Sequence, residues 1–145
     1  VTMDFGALYG GYRSDMTRTV VMGRINDTQR EIYETVKNAQ AAGCSAVRAG
    51  VKGTEPDRAA RSVIEDAGFG EFFGHGVGHG VGLEIHEEPF MTPTCEKMLE
   101  AGNVVTIEPG IYLPRWGGVR IEGTVVVKDG GCEALTQSPK ELIVL

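Results

Sequence analysis

The sequence contains no apolar run long enough to cross a bilayer, which removes the transmembrane-helix class from consideration. Cysteines are few: Cys44, Cys95 and Cys132 lie far apart, are odd in number and form no Cys-x-x-Cys pair. This argues against a disulfide framework and fits reduced thiols in a cytoplasmic protein, with none of the three read as a nucleophile. Basic residues are outnumbered, 14 Lys and Arg against 20 Asp and Glu, giving a formal charge of −6 and a pI near 5.1. That balance speaks against nucleic acid or an anionic membrane as the main partner. There is no low-complexity segment, no repeat of solenoid period and no charge run, and no stretch of these residues reads as a signal peptide. At 145 residues the chain is one domain or part of one. It opens on Val1-Thr2-Met3-Asp4-Phe5, which reads as strand, so the expectation is a piece of a longer protein.

Histidine is as scarce as cysteine, and its placement organises the rest. His75, His79 and His86 all fall within residues 74–89, together with Gly74, Gly76, Gly78, Gly80 and Gly82. Glycine costs backbone entropy, so this density predicts unusual dihedrals or a close approach of the backbone to something. Imidazoles spaced four and seven apart on such a backbone read as a site.

Residues 1–22 read as two strands around a turn in Leu8-Tyr9-Gly10-Gly11-Tyr12. A loop centred on Tyr9-Gly10 sets Asp4 opposite Asp15, and two like charges so paired call for a cation between them. Asn103–Tyr112 and Val119–Val127 read as two further strands, largely buried, carrying Glu108 and Glu122. A loop centred on Arg115 sets Glu108 opposite Glu122. Lys128-Asp129-Gly130-Gly131 is a hairpin turn that returns through Ala134-Leu135-Thr136, and Glu141–Leu145 reads as a last short strand.

Between these hairpins lie two helices. The first is expected over residues 28–49, with Thr28 and Glu31 as a capping box, Ile32, Val36, Ala39 and Val47 as its stripe, Gly43 as a weak point and Gly50 as its stop. The second is expected from about Glu55 to Ala67, with Pro56 in its first position, Gly68 just past its end, and Ala59, Ala60, Val63 and Ile64 facing inward. Both read as scaffold without site chemistry. Phe69 to Phe73 read as a loop, as do the residues around Pro89, Thr92 and Pro93.

Each hairpin thus carries one carboxylate per arm. A carboxylate on a buried strand is expensive unless paired or metal-bound. Four such acids and an imidazole suit two divalent cations, and oxygen-rich ligation favours Mn²⁺-like ions, with Co, Fe and Zn fitting the same donors. Two metals a few ångströms apart can share a hydroxide, lower its pKa and drive hydrolysis, given one free acid or base and a donor for the oxyanion.

Four stretches carry a family resemblance: Asp4-Phe5-Gly6 with Gly11 to Thr19; His75 to Glu87; Thr106-Ile107-Glu108-Pro109-Gly110-Ile111-Tyr112; and Gly118-Val119-Arg120-Ile121-Glu122. Together they resemble the M24 metallopeptidases, nearest their Xaa-Pro dipeptidase (prolidase) and Xaa-Pro aminopeptidase branch. The resemblance implies an α+β pita-bread (creatinase/aminopeptidase-like) fold, a curved and mostly antiparallel sheet covered by helices on one face, here incomplete. Residues 1–145 would form the C-terminal portion of the catalytic domain. The family's metal ligands carry over onto Asp4, Asp15, His79, Glu108 and Glu122. Asp15 and Glu122 would bridge the metals, Asp4 would chelate one, and His79 and Glu108 would complete the other. Glu108 would also shuttle protons for the bridging hydroxide.

By the same resemblance His75 and His86 match the substrate-side histidines that contact the peptide and the developing oxyanion. Tyr112 matches a pocket position, and Arg120 a supporting or substrate-contact position. The implied activity is two-metal hydrolysis of Xaa-Pro bonds, in a cytoplasmic homodimer acting on peptides with proline second. Ser14-Asp15-Met16-Thr17-Arg18-Thr19 and Arg120-Ile121-Glu122-Gly123 favour the proline-specific branch over methionine aminopeptidase. The five retained ligands favour an enzyme over a non-catalytic peptide- or protein-binding module of the same fold. The choice between dipeptidase and aminopeptidase stays open.

Overall fold

Gly10 and Gly11 both take positive φ, 58° and 87°. This is the left-handed backbone that a two-residue hairpin turn requires and that glycine adopts without a Cβ penalty. In the computed structural model, which describes residues 1–145, this turn joins β2 (Leu8–Tyr9) to β3 (Tyr12–Arg13), and β1 (Thr2–Phe5) pairs antiparallel with β4 (Met16–Thr19). The register follows the Gly-Gly pair and not the Tyr9-Gly10 centre expected from sequence. Asp4 therefore faces Thr17, and Asp15 lies diagonal to it, just ahead of β4. A two-residue slip keeps both acids on one face, since side chains alternate with period two.

The first helix, α1 (Asp27–Ala46), starts earlier than expected. Asn26 is the cap: its side chain accepts from the Gln29 N–H at 2.8 Å, and the Gln29 side chain accepts from the Asn26 N–H at 3.0 Å. Asn is a better cap than Thr, and this box displaces the Thr28–Glu31 one. The helix ends at Ala46, so Val47 is buried past its end and Gly50 lies in the following turn. Ile32, Tyr33, Val36 and Ala39 face the core. Gly43 is no weak point, because a Cβ there would meet the Ile107 side chain at 2.9 Å.

The second helix, α2 (Thr54–Asp66), is capped by Gly53, which puts Pro56 third in the helix and not first as expected, still within the first turn; Gly68, φ 83°, follows its end. Ala60 and Ile64 are buried, while Ala59 and Val63 are half-buried. A 3₁₀ turn, Gly70–Phe72, replaces the expected loop.

The central sheet has five strands, all antiparallel: β5 (Gly78–Gly80), β6 (Glu87–Met91), β7 (Val104–Ile107), β10 (Gly123–Lys128) and β11 (Gly131–Ala134), in the order β11-β10-β7-β5-β6. Pro89 belongs to edge strand β6, not to a loop, which suits a residue with no N–H to donate. Between β7 and β10 runs a second ribbon of β8 (Gly110–Leu113) and β9 (Gly117–Arg120), which turns about Arg115 at φ 64°. The expected long strands are thus each broken in two, at Glu108-Pro109 and at Ile121-Glu122.

The register survives the breaks: Tyr112 faces Gly118 in the ribbon, Ile107 faces Gly123 in the sheet, and Glu108 and Glu122 face each other where both ladders stop. Asp129-Gly130 forms the expected turn between β10 and β11. Residues 141–145 form no strand; a single parallel bridge joins Val144 to Val21. Both helices pack on the sheet around Ile64, Met91, Val105, Ile107 and Val125, and each such side chain contributes about 1.5–3 kcal/mol by leaving water. The α+β, mostly antiparallel architecture expected from the sequence is therefore present.

Candidate metal centre

The ladder breaks are what free the two glutamates. At Glu108 the backbone N–H leaves the sheet and donates to Val77 O at 2.7 Å; at Glu122 it donates to Thr17 O at 3.1 Å, tying the second hairpin to the first. Residue 109 is proline, so no ladder bond is lost there. Glu122 is 1 % exposed, with Oε2 accepting from the Thr17 hydroxyl at 2.6 Å and Oε1 buried without any partner. Burial, then the charge of Glu108, and more weakly Asp15 and Asp4, push its carboxyl up to about 8 against the pull of the Thr17 hydroxyl.

His79 comes from β5, where a Cβ at Gly78 would collide with the Thr106 carbonyl on β7. None of the glycines from 74 to 82 has positive φ; close approach of neighbouring backbone accounts for Gly76, Gly78 and Gly80, the Glu87 side chain crowds Gly82, and Gly74 has open space around it. Nδ1 of His79 donates to Gly80 O at 2.9 Å, which fixes the tautomer and aims Nε2 at Glu108 Oε1, 3.0 Å away, and Asp15 Oδ2, 3.7 Å away. Burial lowers the His79 pKa, but the hydrogen bonds to Glu108 and Gly80 and the neighbouring acids outweigh it, and the net shift is upward. Glu108 moves the other way: burial raises it, yet the His79 bond and charge and the Thr106 hydroxyl at 3.0 Å bring it below its ordinary value. Asp15 is raised, first by burial and then by the charge of Asp4.

Ligand atoms of Asp15, His79 and Glu122 lie within 4.8 Å of one another, and Glu108 adjoins His79. Asp4 stands on the rim, its carboxylate in contact with Arg120. Repelling carboxylates, an Nε2 directed at them and an orphaned buried oxygen form a donor set that a divalent cation would satisfy. The residues fit a divalent metal ion.

A cleft of about 570 Å³ opens over this cluster, lined by Asp4, His75, His79, His86, Glu108, Tyr112 and Arg120 among others. His75 Nδ1 donates to Gly76 O at 2.8 Å, so Nε2 accepts from the Tyr112 hydroxyl at 2.9 Å; Arg120 in turn donates to that hydroxyl at 3.3 Å and to Thr17 Oγ1 at 3.1 Å. His86 is exposed and packs edge-on against His79, ring centres 4.3 Å apart. All the residues singled out in the sequence thus converge on one place.

Sequence reasoning missed two groups. Thr17 holds Glu122 and Arg120 together. Asp57 and Arg61, on a helix read as plain scaffold, reach the backbone of the histidine stretch. The signal for Thr17 was available, as a hydroxyl two residues from Asp15 on the same strand face.

Residues 1–129 match the model of metallopeptidase family M24, and the chain belongs to that family. It is 50 % identical over 143 residues to the Xaa-Pro dipeptidase of Pyrococcus furiosus, covering 99 % of this chain and 41 % of that protein. Among solved structures it superposes on an Xaa-Pro dipeptidase from Bacillus anthracis with a TM-score of 0.98 at 51 % identity, and on an X-Pro aminopeptidase from Thermotoga maritima with 0.96 at 44 %; each covers 99 % of this chain and 41 % of the other. The chain therefore spans about two fifths of the length of the relatives it matches, and its fold is that of the pita-bread peptidases.

Proposed function

We propose that the protein carrying this chain is a dinuclear-metal exopeptidase that hydrolyses Xaa-Pro bonds, with peptides bearing proline in the second position as substrates. The observation that supports it most is the cluster of Asp15, His79 and Glu122, whose ligand atoms lie within 4.8 Å of one another, with Glu108 beside His79 and Glu122 Oε1 buried without a partner. Asp4, Asp15, His79, Glu108 and Glu122 would hold two divalent ions, Mn²⁺ first, with Co, Fe or Zn fitting the same oxygens and imidazole. When bound, the ions supply Lewis acidity and an activated water. Glu108 would hold a proton and pass it to the departing amine, a task suited to a carboxylate that faces the cleft and is hydrogen-bonded on one side only. His75 and His86 hold the peptide and its developing oxyanion, Tyr112 orients the His75 ring, and Arg120 braces Asp4 and Tyr112.

The proline preference rests on the likeness to Xaa-Pro dipeptidases and to an X-Pro aminopeptidase. The chain supplies a portion of the catalytic domain of a cytoplasmic enzyme. Its first hairpin leaves Phe5, Leu8, Tyr9 and Tyr12 exposed, a surface that the rest of the protein or a second subunit of a homodimer covers. Hydrolysis of an Xaa-Pro dipeptide against a Met-Ala peptide by the whole protein tests the reading. Cleavage of the proline peptide alone is expected. Cleavage of the Met peptide alone would move the assignment to a methionine aminopeptidase, and no metal-dependent cleavage of either would leave a binding module.

A further inference from the structure

Residues 73–77 bring His75 to the cleft yet lie outside every ladder, since β5 begins only at Gly78. Two of these five residues are glycines, so side-chain packing alone does not fix the backbone. What fixes it is a side-chain pair on α2, a buried Asp57 and a half-buried Arg61. Asp57 is 1 % exposed and receives a forked contact from Arg61, Nε to Oδ2 at 2.8 Å and Nη2 to Oδ1 at 2.9 Å. The same carboxylate accepts from the Val77 N–H at 3.0 Å. The same guanidinium donates to Phe73 O at 2.8 Å and to His75 O at 2.7 Å.

Two carbonyls and one N–H at alternate residues are the groups an adjoining strand would otherwise satisfy, so the ion pair takes that strand's place. Arg61 also stacks on the Phe73 ring, 4.2 Å from its centre, and Phe73 meets His75 edge-on at 5.0 Å. Backbone and ring of His75 are thus held from behind by one helix turn.

We propose that Asp57 and Arg61 are positioning residues for His75. They set the backbone from which the imidazole reaches Tyr112 and the cleft, and they act on the substrate side of the site without contributing to metal loading. The proposal rests on the peptidase reading for its consequence in catalysis but not for its geometry. Arginine is required because only a planar fork serves Asp57 and two carbonyls together; a lysine keeps the charge and loses the fork.

The test uses ¹⁵N-histidine-labelled protein loaded with Zn²⁺, which is diamagnetic, and compares wild type with Arg61→Lys, Arg61→Gln and Asp57→Asn. Ring ¹⁵N shifts read the tautomer of each of the three histidines. The wild type is expected to show His75 as a single Nδ1–H form. Each variant is expected to show His75 averaged between tautomers, with the His79 signals and the zinc count unchanged. In turnover, kcat/KM is expected to fall on the order of a hundredfold, the cost of misplacing a reacting group by about 1 Å, with Arg61→Lys less affected than Arg61→Gln.

An unchanged His75 tautomer in Arg61→Lys, the mildest variant and the one expected to fold even where Asp57→Asn does not, would overturn the proposal. So would a loss of zinc in step with the change at His75. Variants that show the expected tautomer change beside a wild-type protein that cleaves no peptide would overturn the peptidase reading and leave the positioning role standing.

Discussion

The two acid-bearing hairpins share a plan and differ in setting. The first, β1 to β4, has an outer arm whose residues are all exposed, a tip at Tyr9 that is 90 % exposed, and in Asp4 a carboxylate that is 51 % exposed and leans on Arg120. The second, β7 to β10, runs through the core: Val105, Ile107, Ile121 and Val125 are buried, and Glu122 is closed off from water. One side of the centre is therefore rigid before any ligand arrives, and the other is a rim that can adjust. The cost is also lopsided. Asp4 has a cation and solvent beside it, whereas Glu122 keeps a buried oxygen with nothing to bond. A buried, unsatisfied carboxylate destabilises the metal-free fold, and metal binding offsets that cost.

The contrast breaks first at its buried end. Glu122→Ala is expected to abolish both metal binding and peptide hydrolysis, as read by metal analysis and a proline-peptide assay. Glu108→Ala comes next, with turnover falling by roughly 10²–10⁴-fold, the usual contribution of a general acid–base; retained turnover would remove Glu108 from the mechanism. Thr17→Val, which frees one oxygen of Glu122 and one donor of Arg120, is expected to weaken metal affinity by roughly 10–100-fold, as measured by calorimetric titration.

A milder effect appears in pH. In the metal-free protein the Glu122 carboxyl titrates near 8, above its ordinary 4.5, so the folded chain keeps a proton that the unfolded chain releases. This contribution to stability is fully present below about pH 4.5 and is lost as pH rises through about 8. Metal-free protein should thus melt lower at pH 8 than at pH 5.5. Glu122→Gln should flatten that difference, while Asp4→Asn should leave it largely in place. The smallest effect belongs to the exposed turn, where Gly10→Ala meets no neighbour but must keep a φ of 58°, costing about 1–2 kcal/mol in urea unfolding with no change in metal affinity.

The same contrast explains how much was legible in the residues alone. The second hairpin declares its own register, because its β-branched runs flank one turn and that turn centres on Arg115. The first offers two adjacent turn centres, and only the positive φ of both Gly10 and Gly11 decides between them. The strand breaks at Glu108 and Glu122 went unread, although Pro109 marks one of them. Nothing in an Asp57–Arg61 spacing of four distinguishes a solvated helix pair from a buried bracket; that difference lies in what α2 packs against. That the histidines and the paired acids would lie close together was legible in their scarcity and pairing, whereas Tyr112, Arg120 and the role of each residue came only from the family resemblance.

On the proposed function, these residues build a two-metal centre whose rigid half is the buried hairpin. Counting Mn²⁺ bound per chain after dialysis, for the wild type and for Asp15→Ala, tests it most directly. Two ions per chain in the wild type, lost in the variant, are predicted. A wild-type chain that binds none, or a count that Asp15→Ala leaves unchanged, would contradict it.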